Sequence, residues 1–79
     1  MHVYSKSWFA AIGNALQCLS EVEGGLAALA TQDEATFRAT GKQAIRRLRA
    51  KTRRAVDRLN RAGEQEREAE AREAAQTGA

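Results

Sequence analysis

Apolar residues recur along this chain at helical spacing, in two blocks. In the first, Ile12, Leu19 and Leu26 repeat every seven residues, and Trp8, Ala15, Val22 and Leu29 do the same at an offset. Such positions are the a and d sites of a bundle or coiled-coil seam. Phe9 and Leu16 widen the stripe, as in a helix covered by two neighbours rather than one. In the second block Ile45, Thr52 and Leu59 repeat every seven, and so do Gly41, Leu48, Ala55 and Ala62. Phe37, Ala44 and Val56 flank them, and the small residues Gly41, Ala44 and Ala55 allow close packing. No stretch shows the period of two that a half-buried strand needs. The pattern predicts an all-α chain.

Local signals place the helix ends. Ser5 suits an N-cap, because its hydroxyl can accept from an orphan amide of the first turn. Tyr4 and Phe9 are spaced as a hydrophobic staple. The first helix is expected over about residues 6–30. Gly24-Gly25 interrupts it at a cost of about 1 kcal/mol each relative to alanine. The pair marks a kink, a close approach by another helix or a break; because the period survives it, from Val22 to Leu26 and Leu29, a continuous helix is favoured over a break. Thr31-Gln32-Asp33-Glu34 matches a capping box, with Thr31 capping the next helix and Glu34 reaching back. The second helix is expected over about residues 32–62, with Gly63 as a stop. Residues 64–79 carry no large apolar side chain and read as a charged tail, either a helical extension or disordered.

So short a connection makes the two helices antiparallel, with residue i facing about residue 62 − i. The expected fold over residues 1–63 is an antiparallel two-helix hairpin. A lone hairpin leaves much of its stripe exposed, and two together form a four-helix bundle, so a homodimer is expected. Its core or dimer seam comprises Ile12, Leu16, Leu19, Val22, Leu26, Leu29, Ile45, Leu48 and Leu59. The assembly resembles the plasmid copy-number regulator Rop, a dimeric helical hairpin that binds RNA. The likeness is one of architecture, without a shared motif.

Composition supports this picture and narrows the chemistry. Proline is absent, and strong helix formers dominate. A chain of 79 residues fits one domain whose core is marginal without disulfides, a metal or association. Cys18 is the single cysteine, which excludes an intrachain disulfide and fits a reducing, cytoplasmic setting. It reads as a half-buried small apolar residue rather than a nucleophile. His2 is the single histidine and reads as exposed on a floppy arm. No metal site, cofactor or small-molecule substrate is expected. Catalysis is not expected either, since triads need a positioned histidine and Glu21 and Glu23 point to different helix faces. The apolar run from Trp8 to Gly13 falls far short of the roughly 20 residues of a membrane span. Lys6 alone makes a thin positive region for a secretory signal.

Charge is the strongest functional signal. Between residues 42 and 61 stand Lys42, Arg46, Arg47, Arg49, Lys51, Arg53, Arg54, Arg58 and Arg61, opposed only by Asp57. Arginine suits bidentate contacts to carboxylate or phosphate. Arg46, Arg47, Arg49, Arg53, Arg54, Arg58 and Arg61 are therefore the candidate partner-binding face, for an acidic protein or for nucleic acid. Base-reading equipment is thin: that segment has no aromatic residue, and its only amides are Gln43 and Asn60. A bland alternative is self-pairing, with the acidic turn of a second copy in an antiparallel dimer or with the acidic tail folded back on the cluster. Lys42 would meet Glu21 in the hairpin, and Arg53 and Arg54 would lie near Trp8. Tyr4, Trp8 and Phe9 crowd three of the four aromatics into the first nine residues, as core or as a partner anchor. The expected function is a small non-enzymatic regulator or inhibitor, of the kind phages and plasmids encode, that binds a protein. A nucleic-acid-binding regulator is the alternative.

Overall fold

A computed structural model describes residues 2–77. They form two long antiparallel helices, with no strand among the described residues. Helix α1 spans Lys6–Ala30. Helix α2 follows as Glu34–Thr36, a π-helical turn at Phe37–Gly41, and Lys42–Thr77, with helical backbone angles at the junctions. At 1.5 Å per residue, a helix from 34 to 77 is about 66 Å long. The molecule measures 66 × 15 × 12 Å, so α2 runs its full length.

Ser5 caps α1 as its residue type suggests, its hydroxyl accepting from the Trp8 amide at 3.3 Å. The staple does not form: Tyr4 packs on Trp8, with ring centroids 5.6 Å apart, and Phe9 stays exposed. The helix passes through Gly24-Gly25 unbroken. No described residue has a positive φ, so these glycines serve space rather than turn geometry. A Cβ on Gly25 would lie 2.8 Å from a Leu48 methyl, whereas one on Gly24 would meet nothing within 4 Å. Gly41 is similar to Gly25: the Phe37 ring lies across it, inside the π turn.

The connection differs from the expected capping box. Thr31 ends α1, its hydroxyl donating to the Ala28 carbonyl at 2.8 Å. Asp33 is the N-cap of α2, accepting from the Thr36 amide at 2.7 Å. Glu34 pairs forward with Arg38 instead of reaching back. The second helix thus begins at Glu34 rather than near residue 32. It also continues past Gly63 to Thr77 instead of stopping, so the charged tail, as far as it is described, is helix.

The register differs as well. Glu21 meets Lys51, the Ser5 backbone meets Glu66, Gly25 meets Leu48 and Trp8 meets Gly63. Residue i therefore faces about residue 72 − i, ten further along α2 than expected. The first two turns of α2 overhang the end of α1. Lys42 does not reach Glu21, and Arg53 and Arg54 lie far along α2 from Trp8.

The interhelical contact is built from small residues. Ala11 and Cys18 on α1 and Ala55 and Ala62 on α2 are buried, and no large side chain is fully buried among the described residues. Trp8, Ala15, Val22 and Leu29 border this line on α1, half-buried as the heptad implies. Their companions inside the hairpin are Ala11, Cys18 and Gly25, one position before Ile12, Leu19 and Leu26. On α2 the expected positions Leu48, Ala55 and Ala62 face α1, and the row continues through Glu66 to Ala69; Gly41, in the overhang, is buried under the Phe37 ring of its own turn instead. Small side chains bring two helices close but bury little apolar area, at about 25 cal/mol per Å².

Candidate interaction surfaces

At 100° per residue, each helix of the hairpin presents one flank to either side. Ser7, Asn14, Gln17 and Glu21 of α1 and Arg54, Arg58 and Arg61 of α2 share one side, around an open groove of about 870 Å³. The opposite flank of α1 carries Phe9, Ile12, Leu16, Leu19 and Leu26 at spacings of three, four, three and seven. Phe9 is 63% exposed, Leu16 and Leu19 62% each and Leu26 53%. Ile12 is half-buried. The matching flank of α2 is Ile45, Arg49, Thr52, Val56 and Leu59, of which Val56 is also largely exposed. This row of exposed apolar side chains makes the flank a candidate interaction surface.

The cations of α2 fall into two ridges by the same geometry. Lys42, Arg46, Arg49 and Arg53 run beside the apolar flank. Arg47, Lys51, Arg54, Arg58 and Arg61 run beside the groove. All of them are exposed. Among the described residues, Lys51 is the one cation of this segment within ion-pair distance of a carboxylate, 2.8 Å from Glu21. The expected partner-binding arginines thus have no carboxylate partner among the described residues, and they form two surfaces rather than one.

A third feature was hidden from sequence reading. His2 is not exposed on a floppy arm: its side chain is 9% accessible, held at the point where the arm crosses α2. Its Nε2 donates to Glu66 at 2.6 Å and its Nδ1 donates to Glu73 at 2.7 Å. Two nitrogens facing two carboxylates match the doubly protonated imidazolium. Hydrogen bonds to Glu73 and then Glu66 raise the His2 pKa above its ordinary 6.5. Glu66 is 6% exposed and also accepts from the Ser5 hydroxyl and amide. The Ser5 hydroxyl first, and His2 next, lower its pKa. Tyr4 closes the cluster, edge-on to His2 with centroids 5.1 Å apart. The signal available in the sequence was weak: a seven-residue step from Glu66 to Glu73 continuing the α2 seam. Among the described residues no group of three or more His, Cys, Asp or Glu side chains is placed to hold a metal. No described helix is long and apolar enough to cross a membrane.

Trp8, one of the aromatic candidates, is half-buried against Tyr4 and Gly63, in the hairpin contact. Phe9, its neighbour, is on the open apolar flank. Set beside family models, curated proteins and solved structures, the chain matches none of them.

Proposed function

We propose that this chain is a non-enzymatic regulatory protein, such as an inhibitor, that acts by binding an acidic protein partner through the arginines of α2. The supporting observation is the unpaired state of those arginines. Eight cations between residues 42 and 61 have no carboxylate partner among the described residues, although five glutamates follow on the same helix. An exposed guanidinium fork awaits carboxylates. The Arg54, Arg58 and Arg61 ridge borders a groove whose other wall offers the amides of Asn14 and Gln17. The apolar flank of α1 is a second protein-binding surface in this reading. Pairing of two copies into a four-helix bundle belongs to the same proposal, since it covers that flank and leaves the groove outside.

Nucleic acid is the competing ligand, and it is separable. Fluorescence anisotropy of labelled duplex DNA and an RNA hairpin is measured at about 50 and 200 mM salt. Affinity capture from cell extract at 200 mM salt runs beside it, with the parent chain and an Arg54→Glu/Arg58→Glu/Arg61→Glu variant as baits. The proposal expects a protein retained by the parent and lost by the variant, with nucleic-acid binding weak at the higher salt. Tight nucleic-acid binding that survives 200 mM salt, with no protein retained, overturns it.

A further inference from the structure

The outer flanks of α1 and α2 are complementary to each other, and we infer that a second copy of this chain occupies the apolar face in the same antiparallel register that joins the helices within one chain. This rests on reading that face as a protein-binding surface.

The argument starts from area. A compact monomer of this mass exposes about 4,700 Å², whereas this chain exposes 6461 Å². The excess is roughly twice the ~800 Å² that each partner buries in a standard interface. The flanks of both helices lie about a quarter-turn from the intrachain contact, which is the geometry of a square four-helix bundle.

The register follows from matching residue to residue. A two-fold axis parallel to the helices sets α1 of one copy on α2 of the other, antiparallel, with residue i again facing about residue 72 − i, the sum fixed inside the chain. The α1 flank then meets the α2 flank in six layers. Leu26 faces Ile45, Leu16 faces Val56 and Ile12 faces Leu59. Phe9, the bulkiest, faces Gly63, the smallest. Leu19 faces Thr52. Glu23, the only charge in the α1 row, faces Arg49, the only charge in the α2 row. Small exposed residues, Gly13, Ser20, Gly24 and Ala27, run beside the α1 row. They leave room for the long stems of Arg46 and Arg53 to lie across the partner with their heads in water. The alternative two-fold, α1 on α1, offers Glu23 no counter-ion, because the α1 row carries no cation, and a charge buried without one is strongly disfavoured. Because every interchain pair is isologous, the dimer closes and both basic grooves remain outside.

The test is a charge swap. Light scattering of the parent is expected to give twice the chain mass at micromolar concentration. Glu23→Arg and Arg49→Glu each place like charges in apposition and are expected to weaken the dimer about tenfold or more, with helicity retained by circular dichroism. The double swap restores the pair and is expected to return the dimer to within about threefold of the parent. Single variants that dimerise like the parent, or a double swap no better than either single, overturn the register. A cross-link reads it independently. In a Cys18→Ser background, an equimolar mixture of Leu16→Cys and Val56→Cys chains is expected to give the mixed disulfide dimer. A Leu16→Cys chain that instead links only to itself overturns the arrangement. A parent that stays monomeric at about 100 μM overturns the inference and gives the apolar face to another protein, while the reading of the basic groove stands.

Discussion

Gly24 and Gly25 are chemically identical neighbours in one helix, so replacing each by alanine isolates what the second helix does. In both cases alanine gains about 0.8–1.0 kcal/mol of helix propensity. At Gly24 the new methyl enters open space, and that gain is the whole effect. A gain of 1 kcal/mol raises Tm by about 4–8 °C in a domain of this size. At Gly25 the methyl lies 2.8 Å from one Leu48 methyl, 3.1 Å from the other and 3.4 Å from the branching carbon. A twist of the terminal isopropyl group clears one of these contacts and not all three. Either the Leu48 side chain leaves its rotamer or α1 moves outward, and overpacking of that kind costs about 1–3 kcal/mol. The net for Gly25→Ala is therefore between about zero and −2 kcal/mol. Urea unfolding followed at 222 nm, at one protein concentration so that association enters each variant equally, should separate the two variants by at least about 1 kcal/mol. In a Leu48→Ala background the obstruction is gone, and Gly25→Ala should recover its gain of about 1 kcal/mol. Equal stabilisation by both single substitutions refutes the close approach of α2 at Gly25. No gain from Gly24→Ala refutes a continuous α1.

Other perturbations test the cluster at the arm, the caps and the two aromatic neighbours. His2 has a raised pKa, so its contribution is complete below the ordinary 6.5 and is lost as pH rises through the raised value. Glu66 has a lowered pKa, so its contribution is complete above the ordinary 4.5 and is lost as pH falls through the lowered value. The stability gap between the parent and His2→Gln should thus be widest between about pH 4.5 and 6.5 and close on both sides, by thermal unfolding; a gap that does not vary with pH sinks the assignment. Asp33→Ala should destabilise more than Thr31→Ala in the same assay, because Asp33 holds the Thr36 amide; the reverse order would return the cap to Thr31. The exposed Lys51–Glu21 pair should contribute no more than about 1 kcal/mol in a double-mutant cycle. Trp8→Ala should cost about 2 kcal/mol or more of stability, since it opens the contact with Tyr4 and Gly63. Phe9→Ala should leave the monomer's helicity unchanged and weaken self-association instead; a collapsed circular dichroism spectrum for Phe9→Ala would place that ring in the core.

The period of seven made both helices legible, and with them the all-α class and the Ser5 cap. The glycine pair was legible only in part: the preserved phase favours a continuous helix, but a pair of glycines fits a break as well, and the close approach of Leu48 at Gly25 is what the packed hairpin adds. Register was not. It depends on where the second helix starts, and Thr31-x-x-Glu34 and Asp33-x-x-Thr36 are rival caps two residues apart. Asp33 prevails because its carboxylate takes the Thr36 amide while the Thr31 hydroxyl is engaged on Ala28. The change of cap moves the start of α2 by two residues, and the overhang of α2 beyond the end of α1 supplies the rest of the ten-residue shift in every cross-helix pair. It moves Glu21 from Lys42 to Lys51 and brings Glu66 and Glu73 to the arm. The latch at His2 was illegible for the same reason, since the expected register sets the arm beside about residue 60 and leaves Glu66 and Glu73 beyond it, whether or not the helix runs on past Gly63. The arginine cluster could be found from composition alone. Its division into two ridges needs the direction of α1 as a reference, which only the packed hairpin supplies.

The one-residue offset between the two heptad rows of α1 explains both the thin core and the open flank. One row, Ala11, Cys18 and Gly25, is small and takes the helix of its own chain. The next, Ile12, Leu19 and Leu26, is large and stands about a quarter-turn aside, with Leu19 and Leu26 mostly exposed, although burying such a side chain fully is worth about 1.5–3 kcal/mol. A monomer optimised for its own stability would place the large row inward. The opposite assignment lets α1 and α2 approach closely through alanine, cysteine and glycine, and it keeps the leucines for a contact outside the hairpin. The arginines obey the same logic. Beside the apolar flank they sit where their stems can cover a neighbour, and beside the groove they sit where no carboxylate of the described residues pairs with them. Where a second copy covers the outer flank, as inferred above, folding and association are coupled. A substitution on the outer flank of α1 should lower apparent stability in a concentration-dependent way, whereas one in the inner row should lower it at every concentration.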